Sequence, residues 1–137
     1  MNWTLEVVCV PVSDVERARE FYIDKLGFTM DYDTEAGEAR VIQATPPGSG
    51  CSICFGKNVV DMKPGSLKGL QLVVRDLKAA REELAGRGLD VGEIQVFDRS
   101  GNQRPYKDGD VLDKMGFVYF TDPDGNAWAI QQIDDRS

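Results

Sequence analysis

The feature that most constrains this chain is a match to itself at an offset of nearly half its length. Val10-Pro11-Val12-Ser13-Asp14-Val15 aligns with Leu72-Val73-Val74-Arg75-Asp76-Leu77, and Ala18-Arg19-Glu20 falls on Ala80-Arg81-Glu82, an offset of 62 residues. Each copy then reaches a glycine, in Leu26-Gly27-Phe28 and in Arg87-Gly88-Leu89, with one residue fewer in between. An apolar strand, an acidic helix start and a closing glycine recur in the same order, which implies duplication and so two modules of one architecture.

Each copy supplies the signals of a strand followed by a helix. Residues 5–12 are valine-rich and short enough for a buried strand, with Pro11 near its end. Ser13 with Glu16 has the form of a capping box, and Asp14 and Asp76 lie at the two strand-to-helix junctions, where a side-chain oxygen can accept from free first-turn amides. Val15, Ala18 and Tyr22 then share a helical stripe, with Phe21 and Leu26 beside it, as do Leu77, Ala80 and Leu84 in the second copy. Gly27, and Gly86 with Gly88, can end the helices. Three further extended segments follow each helix, residues 28–32, 40–44 and 51–55, then 91–97, 116–121 and 127–133. The order is βαβββ twice, an α+β chain. The expected organisation is one domain over 1–137, with module 1 at about 1–60, a link at 61–67 containing Pro64 and Gly65, and module 2 at about 68–137. The longest irregular stretch, residues 98–114, is expected to be a polar loop that is either mobile or functional, often a lid.

Composition narrows the partners. With 137 residues, 42% apolar, the chain can bury a core of its own. Its net charge of −7 sets general repulsion against nucleic acid. No apolar run reaches the eighteen or so residues that span a bilayer, and residues 1–10 lack the form of a secretory signal, so a cytoplasmic location is expected, with no membrane partner. Cys9, Cys51 and Cys54 are then expected as thiols. Cys51 and Cys54 are three apart on a strand and point to opposite faces, so they cannot converge on one ion.

The stretch from Val12-Ser13-Asp14-Val15-Glu16-Arg17-Ala18-Arg19-Glu20-Phe21-Tyr22 to Leu26-Gly27-Phe28, with Phe120-Thr121-Asp122-Pro123-Asp124-Gly125-Asn126, resembles the glyoxalase/bleomycin resistance protein/dioxygenase (vicinal oxygen chelate) superfamily. The resemblance covers essentially the whole chain. It implies a cupped mixed sheet from two tandem βαβββ modules, helices on the outer faces and a ligand cavity on the inner ones. It also implies metal ligands, a His or Gln on the first strand of each module and a Glu on the last. Carried over, those positions fall on Val7, Gly69, Ala129 and a segment within 52–55 that has no carboxylate. The chain has no histidine. No metal and no cofactor are therefore expected.

Strand alternation places Val7, Cys9, Gly69, Gln71, Ala129 and Gln131 toward the cavity, and Val8, Val10, Leu70, Leu72, Trp128 and Ile130 toward the helices. Gln71 and Gln131 can each donate and accept. Tyr106, Phe117 and Tyr119 are candidates for stacking on a flat ligand, or else core aromatics. Three function classes stay open. One is a binding protein for a small apolar or aromatic molecule, as in antibiotic or metabolite sequestration. Another is a lyase, isomerase or dioxygenase of the same fold with a non-standard site and no assigned catalytic residue. The third is a protein that serves only in assembly. The resemblance also implies a homodimer as a candidate state, with exchange of modules at the 61–67 link.

Overall fold

The computed structural model describes residues 1–135. They divide into two units, Met1–Leu67 with Asp122–Asn126, and Lys68–Thr121 with the chain from Ala127 onward. Among the described residues no helix is long and apolar enough to cross a membrane.

In the first unit, Asp14 starts helix α1 (Val15–Arg19): its backbone is extended and its Oδ1 accepts from Arg17 N at 3.1 Å. The capping box expected from Ser13 and Glu16 does not form. The Ser13 hydroxyl donates to Asp124 Oδ1, while Glu16 pairs with Arg19 and Arg40. Beyond Arg19 the helix widens to a π-helical turn over Glu20–Lys25, where Leu26 N donates to Phe21 O at 2.8 Å. The neighbours Phe21 and Tyr22 on this turn are both buried. Gly27, with φ of 87°, closes it in the left-handed region.

That helix covers a four-stranded sheet of β1 (Val7–Cys9), β2 (Thr29–Ala36), β3 (Ala39–Thr45) and β4 (Ser52–Lys57), in the order β1-β4-β3-β2. Strands β1 and β4 are parallel and the other pairs antiparallel. Val10, Ile42, Ala44, Ile53 and Phe55 are buried with Ala18, Phe21, Tyr22 and Phe28, and the Tyr22 ring lies 5.3 Å from that of Phe55. The first strand is shorter than residues 5–12. Ladder contacts continue only as Ser52 N to Glu6 O and Val10 N to Cys54 O, and Pro11 has no amide to extend them.

The second unit repeats the plan with one addition. Asp76 Oδ1 accepts from Ala79 N at 3.0 Å and starts α2 (Leu77–Gly86), whose Leu77 and Leu84 are buried. The five-stranded sheet contains β5 (Leu70–Val74), β6 (Gln95–Phe97), β7 (Gln103–Pro105), β8 (Gly116–Thr121) and β9 (Ala127–Gln132), in the order β5-β9-β8-β6-β7. As in the first unit, the first and last strands pair in parallel. Val96, Val118, Phe120, Trp128 and Ile130 fill the helix side, with the Phe120 and Trp128 rings stacked at 6.0 Å.

Strand β7 lies in the stretch expected to be a loop. Asp98 Oδ1 accepts from Ser100 N and Asn102 N, which folds the connection tightly enough for Gln103–Pro105 to pair back on β6. Arg104 then grips Asp110 through two hydrogen bonds of 2.7 and 2.8 Å. Residues 91–94, expected as strand, are not: Val91 and Ile94 are buried, but the backbone bonds only at isolated points, Gly92 N to Tyr119 O and Tyr106 N to Ile94 O, and the strand begins at Gln95.

Candidate functional site

Registration across the second sheet gathers most of the residues expected to meet a ligand on the face opposite α2. Gln71 lies opposite Ala129, which lies opposite Tyr119; Val73 lies opposite Gln131, which lies opposite Phe117. Directly paired residues project to the same side of a sheet, so these six form two adjacent rows on that side. Gly69, Leu70, Gln71, Tyr119, Ala127, Trp128 and Ala129 line a shallow concavity of about 210 Å³ there. Its floor is low because Ala127 and Ala129 are small. Gly69 has φ of 89°, a left-handed conformation at the start of β5, and a Cβ built on it meets nothing within 4 Å. The space above it is open, but the backbone disfavours any side chain there.

The polar groups of this face form a directed chain. Gln131 Nε2 donates to the backbone carbonyl of Lys114 at 2.8 Å, which fixes which end of its amide carries the oxygen. That oxygen accepts from Gln71 Nε2 at 2.7 Å. One N–H of each amide is thus turned inward, which leaves the Gln71 carbonyl oxygen as an acceptor and a second N–H on each amide. Beside it runs an aromatic row. The Phe117 and Tyr119 rings are stacked at 6.2 Å with 8° between planes, and Phe97 meets Phe117 edge-on at 5.3 Å. Gln103 Nε2 donates to the Tyr119 hydroxyl, so the Tyr119 proton is directed elsewhere. Phe97 and Gln103 were not singled out from sequence, because their placement depends on the β6–β7 hairpin.

Tyr106 lies apart from these residues. It lines a second concavity of about 170 Å³ with Arg81, Glu93, Ile94 and Pro105, and Lys78 Nζ sits 4.6 Å from its ring centroid. Val7 and Cys9 belong to the first unit, on β1 against Ser52 and Cys54. Their sheet carries a polar row that sequence reasoning did not identify. The Tyr32 hydroxyl donates to Gln43 Oε1 at 3.1 Å, Gln43 Nε2 donates to Asp31 Oδ2 at 3.2 Å, and the Thr45 hydroxyl bonds both Asp31 and Ser52. Gln43 and Thr45 were visible as the polar half of an alternation with Ile42 and Ala44. Asp31 was not, because a bulge between Met30 and Tyr32 takes it out of the period of two.

The donor set does not fit a divalent metal. Val7, Gly69 and Ala129 carry no ligating atom, and among the described residues no group of three or more Cys, Asp or Glu side chains comes together. Asp122, in the second of the two motifs that carry the resemblance, is buried and fully engaged. It accepts from the Tyr22 hydroxyl at 2.6 Å, from Asp124 N and Asn126 N at 2.9 Å each, and from Asn126 Nδ2 at 2.7 Å. Asn126 in turn donates to Pro11 O and accepts from Leu67 N. These two residues hold the turn in place and face no open space.

Comparison with known proteins agrees with this architecture. The sequence model of the Glyoxalase/Bleomycin resistance protein/Dioxygenase superfamily matches residues 4–130. The chain is similar to the crystal structure of TnmS3, an antibiotic binding protein from Streptomyces sp. CB03234, at 29% identity and a TM-score of 0.74, over 96% of this chain and 97% of that one. A glyoxalase/bleomycin resistance protein from the same organism is 29% identical with a TM-score of 0.71, covering 94% and 100% of the two chains. A superfamily member from Sphaerobacter thermophilus DSM 20745 is 25% identical with a TM-score of 0.73, covering 96% and 98%. No curated protein matches at a significant level. The duplicated modules, the parallel pairing of first and last strand in each, and the match from residue 4 to residue 130 lead to one assignment: this chain belongs to the glyoxalase/bleomycin resistance protein/dioxygenase superfamily.

Proposed function

We propose that the chain is a binding protein that takes a small, flat, largely apolar or aromatic molecule on the open face of its second sheet, without a metal, in antibiotic or metabolite sequestration. The observation that carries this reading is the concavity floored by Ala127 and Ala129 and flanked by Gln71 and Tyr119. Its 210 Å³ is less than the 300–1,000 Å³ of a typical ligand pocket, so it suits one ring, with the rest of the guest lying along Tyr119, Phe117 and Phe97. The Gln71 oxygen can accept from a guest N–H or O–H and the second Gln71 N–H can donate to a guest acceptor, while the net charge of −7 favours a neutral or cationic guest. A similar protein described as antibiotic binding supports the same class of guest. We read the two units as modules of one domain in the cytoplasm.

A lyase, isomerase or dioxygenase would need a base or a metal, and this face offers two amides, a phenol and no carboxylate. The reading as an assembly partner, including a homodimer, has its own support in the exposed Trp3 and Leu5, at 86% and 69% of their full accessible area. Titration with aromatic natural products tests the binding reading. Ala129→Phe fills the concavity and should abolish binding. Gln71→Ala removes one hydrogen bond, worth about 0.5–1.5 kcal/mol, and should weaken binding by up to about tenfold. Unchanged affinity in Ala129→Phe would remove this face from consideration.

A further inference from the structure

The first unit holds a pair of thiols that the binding function does not use. Strands β1 and β4 run parallel with Cys9 directly opposite Cys54, and the two sulfurs lie 3.0 Å apart. Neighbouring strands are spaced about 4.7–4.9 Å, inside the 4.4–6.8 Å Cα separation that disulfides span. Bonding to about 2.05 Å therefore needs only side-chain rotation and closure by about 1 Å. The third cysteine does not share this site. Cys51 lies outside the strand, and its sulfur turns to the backbone oxygen of Ser52 at 3.6 Å. Nothing in the repeat predicts the pairing, since position 71, which matches Cys9 at the offset of the two copies, is a glutamine.

We propose that Cys9 and Cys54 are a site of reversible thiol oxidation, closing a cross-strand disulfide between β1 and β4 when the protein meets a peroxide. The order of events follows from burial. Cys54 is 7% exposed, and burial together with the hydrogen bond to Cys9 pushes its thiol up to about 12, so it stays protonated. Cys9 is half-buried and so the more accessible of the two to an oxidant. The Cys9 sulfur attacks one peroxide oxygen, the O–O bond breaks, and the departing oxygen leaves as water or an alcohol with the thiol proton. Cys9 becomes a sulfenic acid. The Cys54 sulfur, already in contact, then attacks the Cys9 sulfur. The S–O bond breaks and the hydroxyl leaves as water with the Cys54 proton, giving one disulfide for one peroxide consumed. Proximity favours this second step over further oxidation of Cys9.

The test uses the full-length chain, exposed to a small molar excess of hydrogen peroxide and then alkylated with iodoacetamide under denaturing conditions. The expected result is that alkylatable cysteines fall from three to one, that the remaining one is Cys51, and that a dithiol reductant restores all three. Peptide mapping should join the segments containing residues 9 and 54. Cys51→Ser should behave as the wild type, whereas Cys9→Ser and Cys54→Ser should each lose the internal disulfide. The loop closed has a sequence separation of 45 residues, so the oxidised wild type and Cys51→Ser should also unfold at higher urea than their reduced forms. Three alkylated cysteines after peroxide, a disulfide that includes Cys51, or Cys9 driven to a sulfinic acid with Cys54 still free would each overturn the proposal.

Discussion

Tyr22→Phe isolates the contact that ties the Asp122–Asn126 turn to the first helix. The Tyr22 side chain is fully buried, and its hydroxyl donates to Asp122 Oδ2 at 2.6 Å. Phenylalanine keeps the ring, and with it the packing on Phe28 and Phe55, so little beyond one oxygen atom is removed. Asp122 keeps three donors, the amides of Asp124 and Asn126 and the Asn126 side chain, and is not left as a bare buried charge. The loss is therefore that of one hydrogen bond to an ionised acceptor, about 1.5–3 kcal/mol. Urea unfolding followed by tryptophan fluorescence reads it: with a slope of about 2 kcal/mol per molar, the midpoint should fall by roughly 1 M. Asn126→Ala should cost more, because it takes the acceptor from Leu67 N and one donor each from Pro11 O and Asp122. A Tyr22→Phe variant within about 0.5 kcal/mol of the wild type would refute the reasoning, since a surface change does no less.

Asp14→Ala and Asp76→Ala should each lower stability by about 0.5–2 kcal/mol in the same assay, because each carboxylate accepts from a first-turn amide; full stability with loss of ligand binding would contradict a capping role. Arg104 and the Lys107 amide hold the Asp110 carboxyl well below its ordinary 3.8, so that contact stabilises the fold above that pH and is lost as pH falls below it. The stability gap between wild type and Arg104→Gln should accordingly shrink on acidification below 3.8, and a gap that widens would show the sign to be wrong. Elemental analysis of protein dialysed against a weak chelator should find no stoichiometric transition metal; one tightly held ion per chain would instead favour an enzyme.

The sequence made one relation legible, the alternation of faces along a strand, and hid the relation between strands. Parity was enough to put Gln71, Ala129 and Gln131 on one side and Leu72, Trp128 and Ile130 on the other, because that assignment needs only a period of two and a known start. It could not say that Gln71 would donate to Gln131, since registration between β5 and β9 is set by chain regions far from both. The same gap explains Cys9 and Cys54: Cys54 was weighed only against Cys51, its neighbour in sequence, and Cys9 was read as facing the cavity, when the two are partners 45 residues apart. Asp122 and Asn126 entered as part of a motif that carries the resemblance; they make a turn, and their side chains are spent on Tyr22, Pro11 and Leu67, which no local pattern predicts. At β7, one of the places where the reading of elements failed, the cause is different. Gln103–Pro105 has no strand propensity of its own and is extended because the Asp98 turn returns it to β6.

Cross-strand geometry also decides what the candidate site can recognise. A glutamine on a sheet face is neutral as to partner, able to donate or accept. Here the Lys114 carbonyl orients Gln131 and Gln131 orients Gln71, so the position of the Gln71 oxygen, the acceptor beside the remaining N–H groups, is fixed. Reversing that polarity would take a donor in place of the Gln71 oxygen, which Gln71→Lys supplies. If the orientation argument holds, that variant should lose affinity for guests that bring an N–H or O–H to this point and gain it for guests that bring a carbonyl or carboxylate. Equal losses for both kinds of guest would mean that the face selects by shape alone, through Ala129 and the aromatic row.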